Sequence, residues 1–365
     1  MSYNIEVKYQ GKVIYPIILT SGYDKLSKLF LDLDTRDKKI CIVTDSNVNG
    51  IYTDEILPIA KENSKELYTF AFNAGEAYKN LDTVYSLYDK LIEWKFDRKD
   101  ILIALGGGVV GDLTGYVAAT YLRGISFVQM PTTLLSMVDS SIGGKTGVDF
   151  KGYKNMIGAF HQPSAVYINV ETLRTLPRDH FYNGMAEIIK HGFILDLAYA
   201  NWLKDNEEKI HNFDIDTITK IIYQSCMIKK NVVEKDPKEK GDRALLNFGH
   251  TIGHAIEKYV NFELLHGQCV SLGMVAAGYI SMQRGYLTGE AFNQVVGILK
   301  DFKLPTNIST SLDIEAILDN ITRDKKQESG KLKFILLKEI GQAFIETNVS
   351  TKEIEEATRF IIEKN

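Results

Sequence analysis

The stretch LLNFGHTIGHAIE, residues 245–257, places His250 and His254 four residues apart. On a helix that spacing sets two imidazoles on one face, about 5–6 Å apart at Cβ. Such a pair can share a divalent cation, work on a substrate, or only pack. A thermolysin-type zinc motif needs glutamate after the first histidine, and Thr251 stands there instead. A third histidine, His266, opens the helix-patterned HGQCVSLGM, and Glu187 shares a helical face with Lys190 and His191 in GMAEIIKHG. One carboxylate and two imidazoles drawn from three helices would leave coordination positions open for substrate, as a catalytic metal requires. Spacing alone leaves open which of His250 and His254 is the ligand.

A second constellation is ILIALGGGVVGD, where Gly106, Gly108 and Gly111 fall in G-x-G-x-x-G spacing between an apolar strand and a helix. Glycine lets the chain turn sharply and approach a ligand closely, and the helix start offers N–H groups to a pyrophosphate. The motif follows a mid-domain strand rather than the first, and no acid ends the next strand, ISFVQM. Asp45, at the end of KICIVTD, is the candidate for a ribose contact. NAGEAYKN and SSIGGKTGVDFKGYKN also combine glycine, turn residues and lysine. The latter lacks the leading glycine and preceding strand of a P-loop, but Lys145, Lys151 and Lys154 suit an anionic substrate.

These groups need a scaffold. The chain has 365 residues, 45% hydrophobic and 25% charged, with a formal net charge of −4. That is ordinary globular composition at a length favouring two domains. The charge gives no reason to expect nucleic acid or a membrane surface as partner. Cys41, Cys226 and Cys269 are sparse and unpaired in spacing, which fits a reducing compartment. Without a signal-peptide pattern or a long apolar run, the chain reads as soluble and cytoplasmic. Strand-like and helix-like segments alternate up to TLRTLPRD, which predicts a mostly parallel sheet covered on both faces. Beyond Pro177 long apolar-periodic stretches predict helices. The expected division is 1–177, an α/β nucleotide-binding domain, and 178–365, a helical metal- and substrate-binding domain. The N-terminal MSYNIEVKYQGKVIYPIIL alternates as a strand does. SSIGGKTGV is expected as a glycine-rich loop, and TRDKKQESGKLK (322–333) as a surface loop before the strand KFILL.

GGGVVGDLTGYVAATYLRG, QMPTTLLSMVDSSIGGKTGV, KNMIGAFHQP, GMAEIIKHG and RALLNFGHTIGHAIE together resemble the 3-dehydroquinate synthase family, in the family's own order. The resemblance implies an N-terminal Rossmann-like α/β domain plus an all-α C-terminal domain, with the active site in the interdomain cleft. It implies that Glu187, His250 and His266 hold a divalent metal, Zn2+ or Co2+, with His254 turned to the substrate. NAD would be bound by Asp45, Asn47, Gly75, Glu76, Lys79, the turn Gly106, Gly107, Gly108, Val109, Val110, Gly111 and Asp112, then Thr132, Thr133, Lys145, Lys154, Thr172, Leu173, Arg174 and Thr175. A phosphorylated seven-carbon keto acid would meet Arg123, Asp139, Lys145, Lys154, Asn155, Lys190, Lys229, Arg243, Asn247 and His254, and either Lys325 or Lys326. The implied reaction oxidises the substrate transiently with NAD, eliminates phosphate and returns the hydride. A homodimer is the expected assembly.

Overall fold

The computed structural model describes residues 2–261, 263–308, 313–327 and 333–362, with the side chains of 322–327 outside the description. The chain divides into two compact units, Met1–Leu176 with Ile218–Lys238, and Pro177–Thr217 with Glu239–Asn365. The expected single cut after residue 177 therefore misses one re-entry into the first unit.

In chain order the elements are β1 (Tyr3–Tyr9), β2 (Lys12–Thr20), α1 (Leu26–Asp32), β3 (Lys39–Asp45), α2 (Thr53–Glu62), β4 (Glu66–Phe72), α3 (Leu81–Glu93) and β5 (Ile101–Gly106). Next come α4 (Gly108–Thr120), β6 (Ser126–Pro131), β7 (Lys145–Phe150), β8 (Tyr153–Phe160) and β9 (Ala165–Asn169). Then follow α5 (Arg178–Leu195), α6 (Leu197–Asp205), α7 (Glu207–His211), α8 (Ile215–Lys235), α9 (His250–Tyr259) and α10 (His266–Gln283). The chain closes with α11 (Gly289–Asp301), α12 (Ile314–Gln327), β10 (Phe334–Glu339), β11 (Gln342–Glu346) and α13 (Thr351–Ile361).

The first unit is built on a seven-stranded sheet in the order β1-β2-β9-β6-β5-β3-β4. All its pairings are parallel except β1 with β2, a hairpin where the sequence reads as one strand. Successive side chains on a strand face opposite sides, and the central strands are apolar throughout because both faces are covered. On β3, Cys41 and Val43 join Leu87, Leu91, Leu113 and Val117 of α3 and α4 on one face. Their neighbours Ile40 and Ile42 join Leu29, Phe30, Ile56 and Ala60 of α1 and α2 on the other. The expected glycine-rich loop SSIGGKTGV is a turn through Gly144, with Gly143 and Gly144 at positive φ, but from Lys145 it is a strand of the antiparallel hairpin β7–β8, where Gly147 and Gly158 face each other too closely to admit a Cβ.

Most of α8 packs in this unit as well. Ile218, Ile221, Ile222, Cys226 and Val233 of α8 are buried, Tyr223 stacks on Tyr3 at 4.2 Å, and Glu234 accepts a hydrogen bond from the Lys8 N–H. One apolar stripe along a helix must be covered somewhere.

The second unit is helical with one two-stranded hairpin, β10–β11, which contains the expected KFILL strand. The expected loop over 322–333 is corrected over its first half: residues to Gln327, with the backbone of Lys325 and Lys326, continue α12. Residues 328–332 lie outside the described residues. Helices α9 and α10 approach until backbone meets backbone. A Cβ on Gly273 would lie 1.8 Å from the Gly249 carbonyl, and one on Gly253 2.7 Å from that of Cys269. Helix α10 also meets α5, where a Cβ on Gly267 would lie 2.1 Å from the Asn183 carbonyl. No residue but glycine fits these contacts.

A charged clamp ties the C-terminal elements. Arg284, just past α10, donates from Nε to Glu353 (2.6 Å), from Nη1 to Glu346 (2.8 Å) and from Nη2 to the Asn348 carbonyl (2.9 Å). Glu353 also closes the Ser350 capping box of α13.

Two outcomes follow for stability. Gly273→Ala should lower stability by about 1–3 kcal/mol, the usual cost of overpacking, read as a lower urea midpoint. The Arg284 hydrogen bond, helped by the Ser350 cap, pulls Glu353 from 4.5 down to about 2. Because the unfolded chain takes up that proton more readily, the clamp's contribution is complete above pH 4.5 and is lost as pH falls towards 2. Urea titrations across that window should show a steeper loss in the parent than in Arg284→Met, and equal slopes would contradict the clamp.

Candidate active site

In the first unit the residues expected to bind NAD lie at or follow the carboxyl ends of parallel strands, except Lys145 and Lys154, which lie on the antiparallel β7–β8 hairpin. Chain order reverses between β3 and β5: β4 lies beyond β3 on one side, β6 and β9 beyond β5 on the other. Ligands of open α/β sheets bind at such a switch point. Asp45 ends β3, Gly106 ends β5, Thr132 follows β6, and Thr172 follows β9. This explains why the glycine motif comes after a mid-domain strand. In space that strand flanks the reversal.

The glycine turn is constrained from several sides. A Cβ on Gly106 would come within 2.5 Å of Val110, and one on Gly111 within 2.6 Å of Gln129 on β6. Those two glycines are demanded by packing. Gly107 and Gly108 would bring a Cβ to 3.2 Å from Thr133 and Ser140. Helix α4 begins with Gly107 at the N-cap and no side-chain cap, which leaves its positive end to a ligand. Asp45 Oδ1 accepts the N–H groups of Asn47 (2.9 Å) and Val48 (3.0 Å), so the acid is fixed in its own turn. Gly75 takes φ 117° just before Glu76. Lys79, buried, donates to Asp112 (2.6 Å) and Asn155 (2.5 Å). Burial works to lower the Lys79 pKa, but the Asp112 and Glu76 carboxylates outweigh it and hold the ammonium above its usual range. Lys154 faces Glu76 at 3.7 Å.

The 172–175 segment is a 3-10 turn whose Thr172 carbonyl accepts from Tyr52 Oη at 2.8 Å, with Thr175 Oγ1 also bonded to that hydroxyl. Leu173 is buried, while Arg174 is exposed and paired with Glu171. Lys229, expected in the helical domain, belongs to the first unit. It is buried and bonded through its ammonium to the Asp139 carboxylate and, at 2.6 Å, to the Asp139 carbonyl. Arg123 follows α4 at φ 69° and is exposed, as is Lys145 at the head of β7.

In the second unit three helices bring the expected metal ligands together. Glu187 on α5 is 1% exposed. Its Oε2 is paired with the Lys190 ammonium, and among the described residues its Oε1 finds no hydrogen-bond donor. His250 Nε2 lies 3.7 Å and His266 Nε2 3.9 Å from that oxygen. The imidazole rings of His250, His254 and His266 cluster with centroids 4.9, 5.4 and 5.5 Å apart.

Within the described part of the second unit two trios are candidate metal holders: the three imidazoles, whose nitrogens lie within 4.8 Å of one another, or Glu187 with His250 and His266. A buried carboxylate oxygen without a donor is costly unless a cation meets it, which favours the trio with Glu187. Ligands at about 2.1 Å from one zinc in tetrahedral geometry sit roughly 3.4 Å apart, somewhat closer than these atoms. The donor set fits. His250 Nδ1 faces the Phe248 carbonyl at 3.1 Å, a partner that takes the ring proton and leaves Nε2 as the lone-pair atom. Burial, Lys190 and the two neighbouring rings hold the His250 pKa well below its usual range, so the ring is in its neutral, ligating form. Arg243 is buried, and Asn247 donates to Glu239 at 2.9 Å.

Sequence reasoning missed four supporting residues: Glu257 beside His266, Asn183 against Gly267, Tyr52 beneath the 172–175 turn, and Asp149, which accepts the Asn155 N–H at 2.8 Å. Only Glu257 carried a signal. It sits seven residues after His250, on the same helical face.

A largely parallel sheet joined to a helical unit is the fold this chain shares with solved sugar phosphate cyclases. The structure of a 2-epi-5-epi-valiolone synthase from Streptomyces hygroscopicus, with NAD+ and Zn2+ bound, matches at a TM-score of 0.88 and 25% identity, covering 98% of this chain and 99% of that one. The family models for the N-terminal and C-terminal parts of 3-dehydroquinate synthase match residues 69–183 and 184–327. The 3-dehydroquinate synthase of Ruminiclostridium cellulolyticum is 47% identical over 90% of this chain and 91% of its own. That of Acetivibrio thermocellus is 46% identical with the same coverage of each. The chain belongs to the 3-dehydroquinate synthase family.

Zinc stoichiometry separates the two trios. Glu187→Ala and His250→Ala should each lose zinc, because an incomplete set of protein ligands holds it poorly. His254→Ala should keep about one zinc per chain, measured by elemental analysis after gel filtration. Equal loss in His254→Ala and His250→Ala would favour the three-imidazole site.

Proposed function

We propose that the chain converts 3-deoxy-D-arabino-heptulosonate 7-phosphate to 3-dehydroquinate and phosphate, as a carbon–oxygen lyase of the shikimate pathway. The observation that carries this reading most directly is the convergence of Glu187 Oε1 with two imidazole Nε2 atoms in a chain of this family. Glu187, His250 and His266 would hold Zn2+ or Co2+, which when bound polarises a substrate hydroxyl and eases its deprotonation. The switch-point residues, from Asp45 through the glycine turn to Thr132, Thr133 and the 172–175 turn, would hold NAD, which when bound accepts a hydride from the substrate and gives it back.

The remaining steps fall to the side chains. Lys190, buried beside Glu187, supplies fixed positive charge close to the ligand set. Arg243 is buried, so its guanidinium suits bidentate pairing with a carboxylate or phosphate. His254, exposed one helical turn from His250, is placed to exchange a proton with substrate. In the first unit Arg123, Lys145, Lys154 and Lys229 offer positive charge to an anionic substrate, and Asn155 is held by Lys79 and Asp149. Positive groups fixed before phosphate leaves cost no reorganisation as its charge develops. One of Lys325 and Lys326 would join them. None of the helices searched is long and apolar enough to cross a membrane; a cytoplasmic location and a homodimer are part of the proposal.

The test follows phosphate and NADH together. With NAD far below substrate, phosphate should be released over many turnovers with no matching rise in NADH absorbance. Lys190→Ala and Arg243→Ala should slow release on the order of 10²–10³-fold by analogy with other preorganised charges, and NAD binding should remain. One NADH accumulating per substrate consumed would make the chain a dehydrogenase and overturn the reading.

A further inference from the structure

His266 is the first residue of α10, and its side chain is 27% exposed. A ring at a helix start with that much exposure is not fixed by packing alone. Yet its Nε2 must point at Glu187 if the two are to share a cation. His250 has a fixed acceptor for its other nitrogen, the Phe248 carbonyl. The counterpart at His266 is Glu257 of α9, whose Oε2 lies 3.5 Å from Nδ1.

Glu257 is only 4% exposed. A buried carboxylate is costly to keep unless a donor or a positive charge answers it. Helices α9 and α10 are locked at their glycine contacts, so the distance between the Glu257 and His266 backbones is set by the fold and not by either side chain. Glu257 and His250 lie seven residues apart on one helical face, and the same helix therefore carries a ligand and the group that orients the next ligand. Carboxylates that accept the second ring N–H of a metal-bound histidine fix its tautomer and raise its basicity.

We propose that Glu257 is a positioning residue: it accepts the Nδ1–H of His266 and thereby holds the Nε2 lone pair towards Glu187 Oε1. The proposal rests on reading Glu187, His250 and His266 as metal ligands, and its test separates the two. Metal-free protein is titrated with Zn2+ against a chromophoric chelator and, separately, with Co2+ while visible absorption is followed. Glu257→Ala should bind Zn2+ about 10–100-fold more weakly, the usual cost of removing such a partner. Glu257→Gln keeps an oxygen acceptor and should lose less. In both, the far-UV circular dichroism and urea midpoint of the metal-free protein should match the parent.

A folded Glu257→Ala with parental affinity would overturn the proposal. So would equal losses in both variants that track a fall in metal-free stability, since that marks packing and not orientation. Should the alanine variant fail to fold, Glu257→Asp, whose carboxylate is one methylene short, takes its place, and parental affinity there overturns it equally. His266→Ala is the control. If it binds Zn2+ as the parent does, the ligand reading itself falls and this proposal with it, whereas weak binding by His266→Ala beside parental binding by Glu257→Ala sinks the proposal alone.

Discussion

An oxygen of Glu187 that is buried and finds no hydrogen-bond donor among the described residues is the constraint around which the second unit is arranged. A carboxylate there would cost several kcal/mol if nothing met its charge. Lys190 answers one oxygen, and two imidazole Nε2 atoms face the other at 3.7 and 3.9 Å, where in the tautomer proposed for each ring they present lone pairs. Lone pairs cannot satisfy a carboxylate oxygen. They can share a cation with it. The site is thus poised for an ion by the same balance of charge and desolvation that governs any protein interior.

That arrangement depends on how closely three helices approach. Gly249, Gly253, Gly267 and Gly273 give α9, α10 and α5 backbone-to-backbone contact, which brings Glu187, His250 and His266 within reach of one point. In the first unit the same device serves another end, where Gly111 lets α4 settle against Gln129 of β6 so that the turn before it lies at the sheet's reversal. Glycine in both units sets distance between backbones. The chemistry-bearing side chains are then placed by elements that can barely shift.

The parallel sheet was legible because β3, β5 and β6 are short apolar runs bounded by turns, and the helical unit because its apolar spacing is long and regular. The cluster of a carboxylate and imidazoles was legible as a set of residue types on three helices, although spacing could not choose between His250 and His254. What escaped was non-local. The stripe on α8 looks like any amphipathic helix, and nothing in it says that Ile221, Ile222 and Cys226 pack in the first unit and carry Lys229 to Asp139. SSIGGKTGV reads as a loop because its glycines suggest turns, which holds for Gly143 and Gly144, whereas Gly147, with Gly158 opposite, lets two strands pair. Residues 322–327 read as a loop on charge alone, but they finish α12. Periodicity reports which face a segment buries, not what buries it.

The central claim is that the cation belongs to Glu187 and two imidazoles, and a crystal of the zinc-loaded protein measured at the zinc absorption edge tests it most directly. The account predicts one strong anomalous peak within bonding distance, about 2.0–2.2 Å, of Glu187 Oε1 and of the Nε2 atoms of His250 and His266, with His254 outside it. A peak centred among the three imidazoles with Glu187 unbound would contradict the account.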